Sequence, residues 1–163
     1  MRQILTVLSL TALAGPAVAQ DALSPPSGTR ELFEFSARGV QIYICKGEDK
    51  TFGWAFDAPE AALYDADGKE AGTHSKGPSW TLSDGSSVTG EVVAKEPSPQ
   101  PGAIPRLFLK VTAHQGAGRL DAASFIRRVD TNGGAEPQGG CDAAHAGSTA
   151  RVPYTATYQF FGP

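Results

Sequence analysis

The sequence predicts an all-β fold: a single-domain antiparallel β-sandwich or barrel-like fold of about seven to eight short strands, with long Pro-rich and Gly/Ala-rich loops. Three observations point there. Apolar residues recur with period two at Val40–Cys45, Arg106–Ala113 and Val152–Phe161, the spacing that sends alternate side chains to opposite faces of a strand. Asp67-Gly68 and Asp84-Gly85 are hairpin-turn pairs. No stretch carries the apolar period of an amphipathic helix.

In chain order, residues 1–19 read as a secretory signal peptide. Arg2 supplies the positive start, Ile4–Leu13 is almost wholly apolar, and Ala17-Val18-Ala19 is a small-residue cleavage site. That apolar run is too short to span a bilayer, and no later run is long enough. No cysteine lies near the cut and no Arg-Arg pair precedes it, so neither a lipid anchor nor the twin-arginine route is expected. The mature chain is expected to be periplasmic or secreted, with no membrane insertion after signal cleavage. Residues 20–30, with Pro25-Pro26, read as a flexible lead-in. Residues 31–163 read as the single β-rich domain.

Within it, Val40, Ile42 and Ile44 share one strand face, and Gln41, Tyr43 and Cys45 the other. Thr51–Phe56 is the expected hairpin partner across a turn at Gly47–Lys50. Asp57–Ala62 reads as one helical turn with Pro59 in its first positions. Gly77-Pro78 is a corner, Ser79–Ser83 a strand, and Val88–Ala94 its return after Asp84-Gly85. Glu96–Pro105 holds four prolines, which neither a central strand nor a helix tolerates, so it is a surface loop. Leu107, Leu109, Val111 and Ala113 share a face of the next strand. Phe125–Val129 follows. Arg127 and Arg128 point to opposite faces there, and an inward arginine would need a buried carboxylate partner. Gly133–Ala150 is a long loop, and Val152, Tyr154, Ala156, Tyr158 and Phe160 share a face of the last strand.

Charge and cysteines narrow the classes. The net charge of −3, with scattered Lys and Arg, gives no electrostatic footprint for nucleic acid. Cys45 and Cys141 are the only two cysteines and are expected to form one disulfide in an oxidising compartment. There is no C-x-x-C for redox chemistry.

The strand and turn segments resemble the bacterial and fungal family called domain of unknown function 3455. The resemblance rests on GVQIYIC at 39–45, FGWAFDAPEAALYD at 52–65 and GTHSKGPSWTLSDGSSV at 72–88. It continues through IPRLFLKV at 104–111, FIRRVDTNGGAEP at 125–137, Cys141 and VPYTATYQFF at 152–161. Arg106 departs from it, standing where the family tends to have an aromatic residue. The resemblance implies an exported β-rich domain with no established biochemical role. Some fungal relatives carry a malate dehydrogenase label, which no motif here supports.

The candidate chemistry is sparse. Gly116-Ala117-Gly118 follows a strand, but the third glycine of a dinucleotide fingerprint is Asp121 and no helix pattern follows; a glycine-rich turn is expected. Asp65-Ala66-Asp67-Gly68 lacks the bidentate glutamate of a calcium loop, since the twelfth position is Lys76. Neither a cofactor nor a metal site is expected. His114 and His145 are expected to be solvated. His74 stands beside Trp80 and Asp84 in the densest polar and aromatic stretch. It is either a backbone-bonding corner residue, or a base or ligand-binding residue. Trp80 is either core or a stacking platform. Two functions follow. One is a non-catalytic binding or structural module of the cell envelope or extracellular space. The other is a small hydrolase or metal-dependent enzyme around His74, Trp80 and Asp84, with His74 and Asp84 as catalytic candidates and His74 and Trp80 as ligand-binding ones. The sequence identifies no partner and no oligomeric state.

Overall fold

The computed structural model describes residues 21–163. The signal-peptide reading, residues 1–19, lies outside them. Eight antiparallel strands run as β1 (Arg30–Glu48), β2 (Thr51–Tyr64), β3 (Glu70–Ser75), β4 (Ser79–Leu82), β5 (Ser87–Glu96), β6 (Arg106–Gln115), β7 (Phe125–Gly133) and β8 (Thr149–Gly162). Each pairs with its sequence neighbour, and β8 returns to β1, so the sheet is a closed barrel. Closure gives every strand a partner on each side and removes most of the edge that an open sheet would present to other chains.

The β1 alternation resolves in favour of the less apolar face. Gln41, Tyr43 and Cys45 are buried, while Val40, Ile42 and Ile44 are half-buried on the outside. On β8, Tyr154, Ala156, Tyr158 and Phe160 point inward as the period predicts. On β6, Leu109 and Val111 are buried and Leu107 packs against them, whereas Ala113 is exposed.

Several strands outgrow the sequence reading. β1 begins at Arg30 rather than Gly39, and β3 has no counterpart in that reading. The helical turn expected at Asp57–Ala62 is instead part of β2. Pairing with β1 on one side holds these residues extended, from Gln41↔Pro59 to Ala37↔Leu63. Pairing of β2 with β3 reaches only Ala61↔His74. Pro59 therefore sits where one side of β2 is open, a position that tolerates a residue with no N–H.

The connections follow their turn chemistry. Asp65 Oδ1 accepts the Asp67 and Lys69 amides in the β2–β3 turn. The 116–118 glycine run leads into a 3₁₀ turn, Arg119–Ala122, that lowers Leu120 into the barrel, where it is fully buried. With Phe33, Phe35, Leu63, Leu82, Val88 and Phe160, Leu120 plugs one end. Leu23, just before β1, is buried as well. The disulfide joins Cys45 to Cys141, 96 positions apart in sequence, and ties the 134–148 loop to β1. Trp54 Nε1 adds a hydrogen bond to the Gly139 carbonyl at 2.8 Å. Among the described residues no helix is long and apolar enough to cross a membrane.

Candidate functional site

The barrel end opposite the Leu120 plug is open. A cavity of about 520 Å³ enters there between the β1–β2 hairpin, the β3–β4 corner and the Pro-rich β5–β6 loop. Ligand-sized pockets lie in this range, and an eight-stranded barrel is just wide enough for side chains alone or for one small ligand. The rim sets the apolar side chains of Phe56, Pro78, Val92 and Leu107 beside the charged ones of Asp57, Lys76 and Lys95. Phe56 and Val92 are two of the exposed large hydrophobic side chains of the described chain, at 54% and 45% exposure.

Deeper in the cavity the wall turns polar and aromatic. Alternation on β3 and β4 sends His74 and Trp80 inward, and the register places them side by side as His74↔Trp80. Their rings stack 4.4 Å apart at 14°. Tyr158 closes on both, 4.9 Å from His74 and 5.5 Å from Trp80. Gly90 leaves the room the indole needs, since a Cβ there would stand 3.3 Å from the ring. His74 Nδ1 donates to the Ser79 carbonyl at 2.9 Å, because a carbonyl can only accept. That bond fixes the neutral tautomer and leaves Nε2 as a lone-pair acceptor. Burial pushes the imidazole down to about 3; the Ser79 bond opposes the shift and the Arg128 charge adds to it.

Arg128 is the inward arginine of β7 and is 8% exposed. Its Nε and Nη2 both donate to the Pro105 carbonyl, at 3.1 and 2.8 Å. The carboxylate that the sequence requires of it is missing: among the described residues none pairs with it. Arg127 faces outward, bonds Gln159 and lies over the Phe161 ring. Tyr43 donates to the Gly134 carbonyl at 2.6 Å. Gln41 Nε2 nears the Tyr154 hydroxyl without reaching hydrogen-bond geometry. Both it and Trp80 Nε1 are buried without an acceptor among the described residues.

The structure thus brings His74 and Trp80 together and leaves Asp84 elsewhere. Asp84 lies at the plugged end in the β4–β5 turn. Its oxygens accept the Arg119 amide, the Ser86 hydroxyl and the Ser86 amide, and these bonds hold its carboxyl down to about 2. It caps a turn and does not face His74. His114 bonds the Ala123 carbonyl, and His145 pairs with Asp142 on the surface. Among the described residues no three His, Cys, Asp or Glu side chains group as a metal site. Sequence reasoning passed over Gln41, Tyr43 and Arg128 as site residues. The signal was present for Arg128 alone, as a charge at an inward strand position.

Fold and cavity together define a closed eight-stranded up-and-down barrel with a ligand-sized lumen open at one end. The chain belongs to the family described as "Protein of unknown function (DUF3455)", which matches residues 26–162. No curated protein and no solved structure matches it.

Proposed function

We propose that the protein is an exported, non-catalytic binding module that takes one small, largely apolar molecule into the open end of its barrel. The observation that carries this reading is the cavity of about 520 Å³ with a largely apolar lining. At the other end Phe35, Leu63, Leu82 and Leu120 are packed into the buried core. A well-formed apolar pocket with a few converging polar groups is the usual form of a small-molecule site.

Catalysis at His74 has little support. Proton transfer is most effective near the working pH, and an imidazole held at about 3 is a weak base there. Its partner is a backbone carbonyl, and Asp84 is at the other end of the barrel. Export accords with the disulfide, which persists in oxidising compartments. A mature mass lacking residues 1–19, in the extracytoplasmic fraction, is the expected product.

The test uses phenylnaphthylamine, a neutral apolar fluorophore that brightens on leaving water. The disulfide-intact protein is expected to bind it at one site per chain. Leu107→Trp, which fills the rim, is expected to abolish that site while the melting temperature stays within a few degrees. A parent protein that leaves the dye dark, or a variant that binds it as the parent does, refutes the lumen as a binding site.

A further inference from the structure

We infer that the lumen ligand is a carboxylate: an apolar body with a carboxylate head seated against Arg128. This rests on the proposed lumen site and names what the site would select.

The argument begins with a charge that has no counter-charge. Buried cations are normally matched by an anion, because taking a guanidinium out of water is costly. Arg128 meets one backbone carbonyl, engaged by Nε and Nη2. Its Nη1 side has no protein acceptor among the described residues, and Arg128 lines the cavity. Among the described residues no carboxylate pairs with it; Glu136, which acts on the Tyr43 hydroxyl, is an exposed side chain outside the cavity lining. His74 is neutral, and Tyr43 and Tyr154 are held as phenols, Tyr43 by burial first and Tyr154 by burial more strongly.

The other buried groups repeat the theme. Gln41 and Trp80 line the same wall, and their Nε2 and Nε1 are buried donors without an acceptor in hydrogen-bond geometry among the described residues, Gln41 lying toward the Tyr154 hydroxyl. A buried polar group left without a partner calls for an explanation, and here the shared want is for acceptor oxygens. A guanidinium fork matches a planar carboxylate.

Charge at the entrance agrees. The charged side chains lining the cavity are Lys76, Lys95 and Arg128 against the single carboxylate of Asp57. Asp57 is engaged by Lys76 at 2.6 Å. The cavity is therefore electropositive in a chain whose net charge is −3. A cleft of one sign draws in ligands of the other. The rim of Phe56, Val92 and Leu107 would hold the apolar body.

The experiment compares octanoate, octanol and octylamine, which share one chain and differ in head group, as competitors of bound phenylnaphthylamine. On the parent, octanoate is expected to compete about tenfold or more tightly than octanol, the difference a charge-assisted hydrogen bond makes, and octylamine more weakly than either. In a folded Arg128→Met, octanoate is expected to fall to the level of octanol. Octanol or octylamine matching octanoate on the parent overturns the carboxylate and leaves the apolar lumen standing; this comparison holds even where Arg128→Met fails to fold. Octanoate retaining its advantage in a folded Arg128→Met overturns the role of Arg128. A parent that binds neither dye nor competitor brings down the lumen reading and the carboxylate with it.

Discussion

Acidification is expected to destabilise this barrel through one residue, His74. Its imidazole titrates at 6.5 in the unfolded chain and at about 3 in the folded one, chiefly because burial disfavours the charged form. Between those values the unfolded state holds a proton that the folded state cannot take up. The stability that the neutral ring confers is fully present above pH 6.5 and is lost as pH falls toward 3. Each pH unit in that window costs about 1.4 kcal/mol. From pH 6.5 to about pH 4.5 the loss is about 2–3 kcal/mol, a large share of the roughly 5–15 kcal/mol typical of a domain. Urea unfolding of the parent and of His74→Gln at the two pH values isolates the effect. Carboxylates also titrate on the way down. Asp84, ordinarily at 3.8 and held at about 2, is lost only below that window, and both proteins share it. The parent should lose about 2–3 kcal/mol more than the variant. Equal losses in both would show that His74 is protonated in the folded barrel, and the account of its burial would be wrong.

Three further outcomes are expected. Replacing both cysteines, Cys45→Ser with Cys141→Ser, should lower stability by about 4–5 kcal/mol, the chain-entropy value for so long a loop, read as a lower urea midpoint than that of the oxidised parent. Leu120→Ala should cost about 2–5 kcal/mol as a core truncation. It should leave phenylnaphthylamine affinity within about twofold, since the plug and the cavity occupy opposite ends; a parallel loss of binding would contradict that separation. Gly39→Ala should cost about 1–3 kcal/mol or more by overpacking, because a Cβ there would stand 2.1 Å from the Glu60 carbonyl oxygen across β1–β2; a neutral thermal melt would refute the close approach.

The strand alternations were legible because a period of two survives any sheet topology. Those at Val40–Cys45 and Val152–Phe161 both appear in the barrel. Which face of β1 turns inward was not legible. Val40, Ile42 and Ile44 look like core, yet the lumen takes Gln41 and Tyr43. A cavity can accept polar side chains that a solid core would reject, and nothing local to β1 announces a cavity. The Asp57–Ala62 segment was misread because alanine and an early proline favour a helical turn locally, while pairing to β1 decides the matter from a distance. For the site, His74 and Trp80 were found by their crowding in sequence. Asp84 was drawn in by the same crowding and belongs to a turn. Arg128 was missed as a site residue because its meaning depends on an absent partner, and an absence in space leaves no mark on the chain.

The ring has one seam that differs from the others. Seven of its joins link strands adjacent in sequence, but β8 must find β1, with Arg30 meeting Gly162. That join comes late in the life of the chain. Until Thr149–Gly162 has been synthesised and delivered, β1 and β7 are bare edges, open to pairing with any other strand. Cys141 lies just ahead of β8, and its bond to Cys45 brings the same two regions together. Oxidation and seam closure therefore share a single loop-closure entropy: whichever happens first makes the other cheaper. A chain cut short ahead of Cys141 would forfeit both at once and remain an open ribbon.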